Sequence, residues 1–218
     1  MRLRMLLLIL LSVCGLLAIN NPVTAALIVA DSHNFDIDPA ATKWMETLDV
    51  PQYNPADHGG ASLMQVRLHV AMTATGDVTF SGNGTTVEAA GAGGKLTVAG
   101  PGGIDESLAA TDPVAPPAIQ LVEGQPVQLE FSTGMDDWFE YMEAAVLAAS
   151  TGVGTVPYDL VANSLLTLEF DGGAISIDQA TLVGSSVTVE YLIPEPGTLV
   201  LGLLGFLVLM GRRRWSRT

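Results

Sequence analysis

Apolar and polar residues alternate one by one through the middle of this chain. Val127-Gln128-Leu129-Glu130-Phe131-Ser132 and Leu166-Thr167-Leu168-Glu169-Phe170 are clear instances. Val66-Arg67-Leu68-His69-Val70-Ala71-Met72, Ile175-Ser176-Ile177-Asp178 and Val187-Thr188-Val189-Glu190-Tyr191 repeat the pattern. Side chains of a strand point to opposite faces in turn, so this period fits strands with one face buried. Val78-Thr79-Phe80, Leu96-Thr97-Val98 and Val156–Val161 are further candidates. Turn signals fall between them at Thr75-Gly76-Asp77, Gly82-Asn83-Gly84, Gly91–Gly94, Pro101-Gly102-Gly103 and Asp171-Gly172-Gly173. About eight short strands at this spacing, with no strand–helix–strand rhythm, predict an all-β antiparallel β-sandwich. Gly82–Gly103 reads as a flexible hairpin excursion.

One stretch breaks the alternation. Asp136–Ala149 is rich in helix formers and poor in β-branched residues. Asp136 and Asp137 suit a helix N-terminus. Trp138, Tyr141, Met142, Ala145 and Ala149 would share one face. The expectation is one short helix covering an end or edge of the sandwich.

The two ends are different in kind. Residues 1–25 read as a signal peptide: Arg2 and Arg4, then the apolar run Met5–Ile19, then the breakers Asn20, Asn21 and Pro22. Val23-Thr24-Ala25 places small residues where cleavage needs them, so the cut is expected between Ala25 and Ala26. An uncleaved anchor is the alternative. Cys14 lies inside the apolar run, with Val13 where a lipoprotein signal wants a small residue. A chain starting at Ala26 has no cysteine, which removes disulfides and thiol chemistry. Residues 26–193 form the expected ectodomain, and residues 194–218 form a tail.

That tail has three parts in order. Pro194-Glu195-Pro196 is extended and lacks two backbone donors. Thr198–Gly211 is apolar and can cross a bilayer as a helix, because a helix satisfies its own backbone in lipid. Fifteen residues from Gly197 cover about 22 Å against a hydrocarbon core of about 30 Å. Snorkelling arginines or local thinning must supply the difference. Arg212, Arg213, Arg214 and Arg217 follow, a basic cluster expected to stay cytoplasmic. The ectodomain is then outside the cytoplasm.

A Pro-Glu-Pro motif, a Gly/Leu-rich span and an arginine terminus together resemble the PEP-CTERM sorting signal of Gram-negative and related bacteria. The resemblance covers Pro194–Thr218. It implies processing near Pro194-Glu195-Pro196 by exosortase, a membrane-embedded transpeptidase-like enzyme, after signal peptidase has acted. The protein would pass through an inner-membrane single-pass intermediate and end at the cell surface or in the extracellular matrix. The ectodomain resembles the choice-of-anchor E type of bacterial surface domain. Thr47-Leu48-Asp49-Val50-Pro51-Gln52-Tyr53-Asn54-Pro55, Gly152-Val153-Gly154-Thr155-Val156 and the closing Val187-Thr188-Val189-Glu190-Tyr191 carry that resemblance over Thr47–Tyr191. It implies no catalytic chemistry.

Charge narrows the partners. The middle has three cations, Lys43, Arg67 and Lys95, against 22 acids, a net charge of −19. Phosphate backbones are repelled, so nucleic acid is excluded as a partner, and anionic lipid is disfavoured. No nucleophile elbow, zinc-protease helix or phosphate loop occurs. His33, His58 and His69 have no metal-ligand spacing, so no metal or catalytic residue is assigned. Asp36-x-Asp38 and Asp136-Asp137 have calcium-ligand chemistry but lack the Asp-x-Asp-x-Asp-Gly loop. No cofactor is therefore expected, calcium being the one candidate.

These readings predict a non-enzymatic structural or adhesive protein. A carbohydrate-binding surface module is the alternative, with Trp44, Tyr53 or Trp138 stacking on an exopolysaccharide. A secreted hydrolase would need carboxylates clustered in a cleft.

Overall fold

Two antiparallel sheets share one apolar core. The structure, a computed structural model, describes residues 26–114 and 118–195. The chain divides into two units, Val29–Ile193 and Met1–Ile28 with Pro194–Thr218. The expected signal peptide, most of the expected sorting tail and its expected membrane span lie outside the described residues. Among the described residues no helix is long and apolar enough to cross a membrane.

The strands are β1 (Leu27–Ala41), β2 (Met45–Pro51), β3 (Gln65–Gly82), β4 (Thr86–Ala99), β5 (Asp105–Pro113), β6 (Ile119–Gln120), β7 (Val127–Tyr141), β8 (Thr155–Asp171) and β9 (Ile175–Pro194). One sheet has the order β1-β9-β3-β7; the other runs β2-β8-β4-β5, with β6 on β4. The chain crosses between sheets at β1–β2, β2–β3, β3–β4, β6–β7, β7–β8 and β8–β9. The alternation read from the sequence is the pleat: Val66, Leu68, Val70, Met72, Ala74, Val78 and Phe80 of β3 are buried. Val183, Val187, Val189 and Tyr191 of β9 join them, as do Leu96 and Val98 of β4 and Tyr158 and Leu160 of β8.

The expected helix is corrected. β7 runs on to Tyr141, and α1 covers only Ala144–Ser150. β7 pairs with β3 from Val66–Tyr141 to Phe80–Val127 without a break. That ladder satisfies the backbone, and aromatic residues fit a half-buried pleat better than a helix. Phe139 and Tyr141 turn to the core, whereas Trp138 turns out. The short helix does cover one end: it packs on the Pro101–Gly103 turn and on β3, with Val146 buried.

Two expected turns are strand interior. Gly76 lies inside β3, where a Cβ would stand 1.9 Å from the Ala180 carbonyl oxygen. Gly91–Gly94 lies inside β4, so the expected flexible excursion is the middle of a sheet. A Cβ on Gly93 would meet the Ala110 oxygen at 1.9 Å. One on Gly94 would meet Ala74 and Val183 of the facing sheet at 2.9 Å. These glycines mark close approach of backbones, not reversal of the chain.

β1, β2, β5 and the two-residue β6 escaped the sequence reading. β1 is an edge strand carrying Asp31, Asp36, Asp38 and Pro39, the residues that protect a free edge from further pairing. In β5 only Leu108 is buried, so its period is faint.

Candidate functional site

β9 leaves the fold at one end of the sandwich, and side chains close that end. Gln65 pairs with Leu192 and Val66 with both Tyr191 and Tyr141, so β3 begins where β7 and β9 finish. Tyr191 donates a hydrogen bond to the Pro51 oxygen at 2.9 Å, tying this end of one sheet to β2 of the other. Tyr53 is wholly buried and donates to the Ala61 oxygen at 2.7 Å. Its ring lies 6.2 Å from that of Tyr191 and stacks on His58 at 5.1 Å. His58 ends the 3-10 turn Pro55–His58, and its Nε2 lies 2.9 Å from Asp31 Oδ2 of β1. His33 meets Tyr191 edge-on at 5.9 Å. Gln52 donates to the Ala149 oxygen of α1 at 2.9 Å.

The phenols here stay protonated above the usual range. Burial pushes Tyr191 up, with the nearby Tyr158 and Asp31 adding to it. Burial does the same for Tyr53, again helped by Asp31. Burial raises Tyr158. Burial raises Tyr141, reinforced by the 2.7 Å hydrogen bond its hydroxyl donates to Glu106.

The residues expected to carry sorting come immediately after this end. Tyr191, Leu192 and Ile193 are buried, Pro194 is half-buried and Glu195 is exposed. Ala26 is exposed. Ala25, Pro196, Arg212, Arg213, Arg214 and Arg217 lie outside the described residues.

The aromatic residues separate into structural and exposed ones. Trp44 is half-buried and donates its indole N–H to the Val183 oxygen at 3.0 Å. Trp138 stands on the outer face of the β1-β9-β3-β7 sheet, 45% exposed. His69 stacks on its ring at 4.4 Å, and the Arg67 guanidinium lies 4.6 Å from the ring centre. Arg67 is held in place by Glu190, its Nε donating at 2.8 Å. Cross-strand neighbours thus build one small stacked group from β7, β3 and β9. Farther along this face a depression of about 260 Å³ is lined by Asp36, Pro39, Ala71, Thr73, Gly184 and Ser186.

The two candidate calcium pairs lie on strands and differ in placement: Asp36 and Asp38, two apart on β1, share a face. Asp136 and Asp137 are adjacent on a strand and so point to opposite faces. Asp136 instead lies 3.6 Å from His69. Asp36 accepts a hydrogen bond from Asn34 at 3.3 Å. Among the described residues no three of His, Cys, Asp or Glu gather to hold a metal ion. His33 and His58 lie at the exit end, against Tyr191 and Asp31 respectively, whereas His69 stacks on Trp138.

The side chains that close the exit end were only partly legible. Tyr191 sits at an inward position of Val187–Tyr191, a signal the alternation carries. The partnership of Tyr53, His58 and Asp31 joins three separated segments, and local sequence has no sign of it.

No family model matches the chain, and no curated protein matches it. Among solved structures, the infectious bursal disease virus Gx strain is 14% identical over 81% of this chain, with a TM-score of 0.23. This chain spans 40% of that one. A human norovirus GI.7 Houston strain virus-like particle is 13% identical over 81% of this chain and 36% of its own, at 0.22. A Clostridium thermocellum endo-1,4-β-D-xylanase, solved with a carbohydrate-binding module and xylohexaose, is 11% identical over 77% and 26%, at 0.17. At such TM-scores whole folds do not superimpose, and these likenesses carry no conclusion about this chain.

Proposed function

We propose that the chain is an exported, non-enzymatic β-sandwich protein, sorted through its tail to the cell surface or extracellular matrix. Its role there is structural or adhesive. The single observation behind this reading is the ordered tail: Pro194-Glu195-Pro196, the apolar run Thr198–Gly211, and the arginines Arg212, Arg213, Arg214 and Arg217. Its likeness to PEP-CTERM signals makes exosortase the processing partner. The ectodomain's likeness to choice-of-anchor E domains agrees with a surface role.

The described fold supports the reading in one respect. Burial ends at Ile193, and Glu195 is exposed. An enzyme can therefore engage Glu195 and the residues beyond it without unwinding β9. Replacing Pro194-Glu195-Pro196 by three alanines is expected to leave the protein membrane-bound at unprocessed size in its native host. Unchanged processing, read as the intact mass of the product, rejects the exosortase assignment.

Carbohydrate binding is the second reading, and one observation favours it: Trp138 is exposed on the outer face of a sheet. Tyr53 is buried and Trp44 is tied to Val183, so the aromatic shelf reduces to this ring. His69 and Arg67 already lie against it.

A further inference from the structure

We propose that the end of the sandwich from which β9 emerges rests on the bilayer, with Met64, Met142 and Val153 in contact with lipid. The proposal depends on the tail being a membrane segment, as inferred above. Its first support is tether length. Four residues, Pro194–Gly197, separate the buried Ile193 from the start of the apolar run at Thr198. Fully extended they reach about 14 Å. The headgroup layer on each side of the hydrocarbon takes up about 5–8 Å of that. The fold cannot lend more chain, because Tyr191 and Leu192 are buried and paired in the sheet. An inserted run therefore holds this end within a few ångströms of the headgroups.

The second support is what this end displays. Met64 precedes β3 and donates its N–H to the Leu192 oxygen at 2.9 Å, beside the exit. Met142 comes after Tyr141, the partner of Val66. Val153 lies in the turn before Thr155, the partner of Pro51, whose oxygen accepts from Tyr191. They are 47%, 62% and 84% exposed. Apolar side chains on loop tips at the tethered end gain most by leaving water for the interface. Asp57 and Glu143 lie at the same end, and Arg67 is neutralised by Glu190. The surface it fits is therefore a zwitterionic membrane, held by apolar contact, not by basic residues on anionic lipid.

The test uses the chain as it stands after the expected cut, Ala26–Thr218, which has no cysteine, reconstituted into phosphatidylcholine vesicles. Met64→Cys, Met142→Cys, Val153→Cys and, at the opposite end, Asn83→Cys are labelled one at a time with a fluorophore. Brominated phosphatidylcholine then reports lipid contact. The expected result is flotation with vesicles and several-fold stronger quenching at 64, 142 and 153 than at 83. Flotation with no excess quenching at those three positions overturns the proposal and leaves the tail reading standing. Failure to float overturns both. The three exposed positions are read separately, so one misfolded variant still leaves two decisive measurements.

Discussion

The two ends of the sandwich differ in the residues that close them, large aromatic side chains at one and small turn residues at the other. At the exit end, Tyr191 with Pro51, His58 with Asp31 and Gln52 with Ala149 bridge segments distant in sequence, and the Tyr53 ring packs beside Tyr191. At the far end no tyrosine takes part: the Thr85 hydroxyl donates to the Ala174 oxygen at 3.3 Å, Asn83 donates to Glu123 at 3.0 Å, and tight turn backbone supplies the rest. The Gly84 N–H donates to the Leu121 oxygen at 3.1 Å, and the Leu121 N–H donates to the Thr85 oxygen at 2.8 Å. Gly84 has a φ of 69°, and a Cβ on Gly172 would come within 2.9 Å of its oxygen. All four tyrosines lie toward the exit end, at residues 53, 141, 158 and 191. One fold thus carries two kinds of fragility. One end is sensitive to the loss of side chains and of their protons, the other to backbone conformation.

The largest expected effect tests the exit end. Tyr191→Ala removes a fully buried ring and should cost about 4 kcal/mol in urea unfolding. Tyr191→Phe keeps the ring, leaves the Pro51 oxygen unpaired and should cost about 1 kcal/mol. Equal losses for the two variants would mean that packing contributes little there.

Alkali should separate the ends next. The tyrosines are held protonated in the fold, whereas in the unfolded chain they ionise near pH 10. Above that pH the unfolded state binds fewer protons, so this contribution is intact below about pH 10 and is lost as the pH rises further. Each tyrosine can contribute a slope of up to about 1.4 kcal/mol per pH unit. Hydrogen exchange tracked from pH 9 upward should show amides around Tyr191 and Tyr53 losing protection before those around Gly84. Simultaneous loss would break the comparison.

The smallest effect belongs to the far end. Gly84→Ala meets open space but keeps a positive φ, so it should cost about 1 kcal/mol, through the backbone alone. A neutral result, by the same urea titration, would show that this turn relaxes freely.

Strand interiors are readable because burial on one face imposes a period of two, as in Val187–Tyr191. Trp138–Tyr141 reads as helix from its local composition because its pairing partner, Val66–His69, lies far back in the sequence. Gly91–Gly94 reads as loop for a related reason. Local sequence shows that side chains are missing, not which neighbouring backbone or sheet occupies their space. The exit-end contacts are hidden likewise: nothing near His58 indicates Asp31.

What the sequence determined by itself is periodic or composed of contiguous residues: the alternating strands, the acidic middle, and the order of parts in the tail. Those signals live within one segment, where pleat geometry, charge and hydropathy act directly. Tertiary structure alone decided the crossing of the chain between sheets, the burial of Tyr53 beside the exposure of Trp138, and which loop tips stand at the exit. Each of these depends on partners brought together from distant segments, so its energy appears only once the sheets have packed.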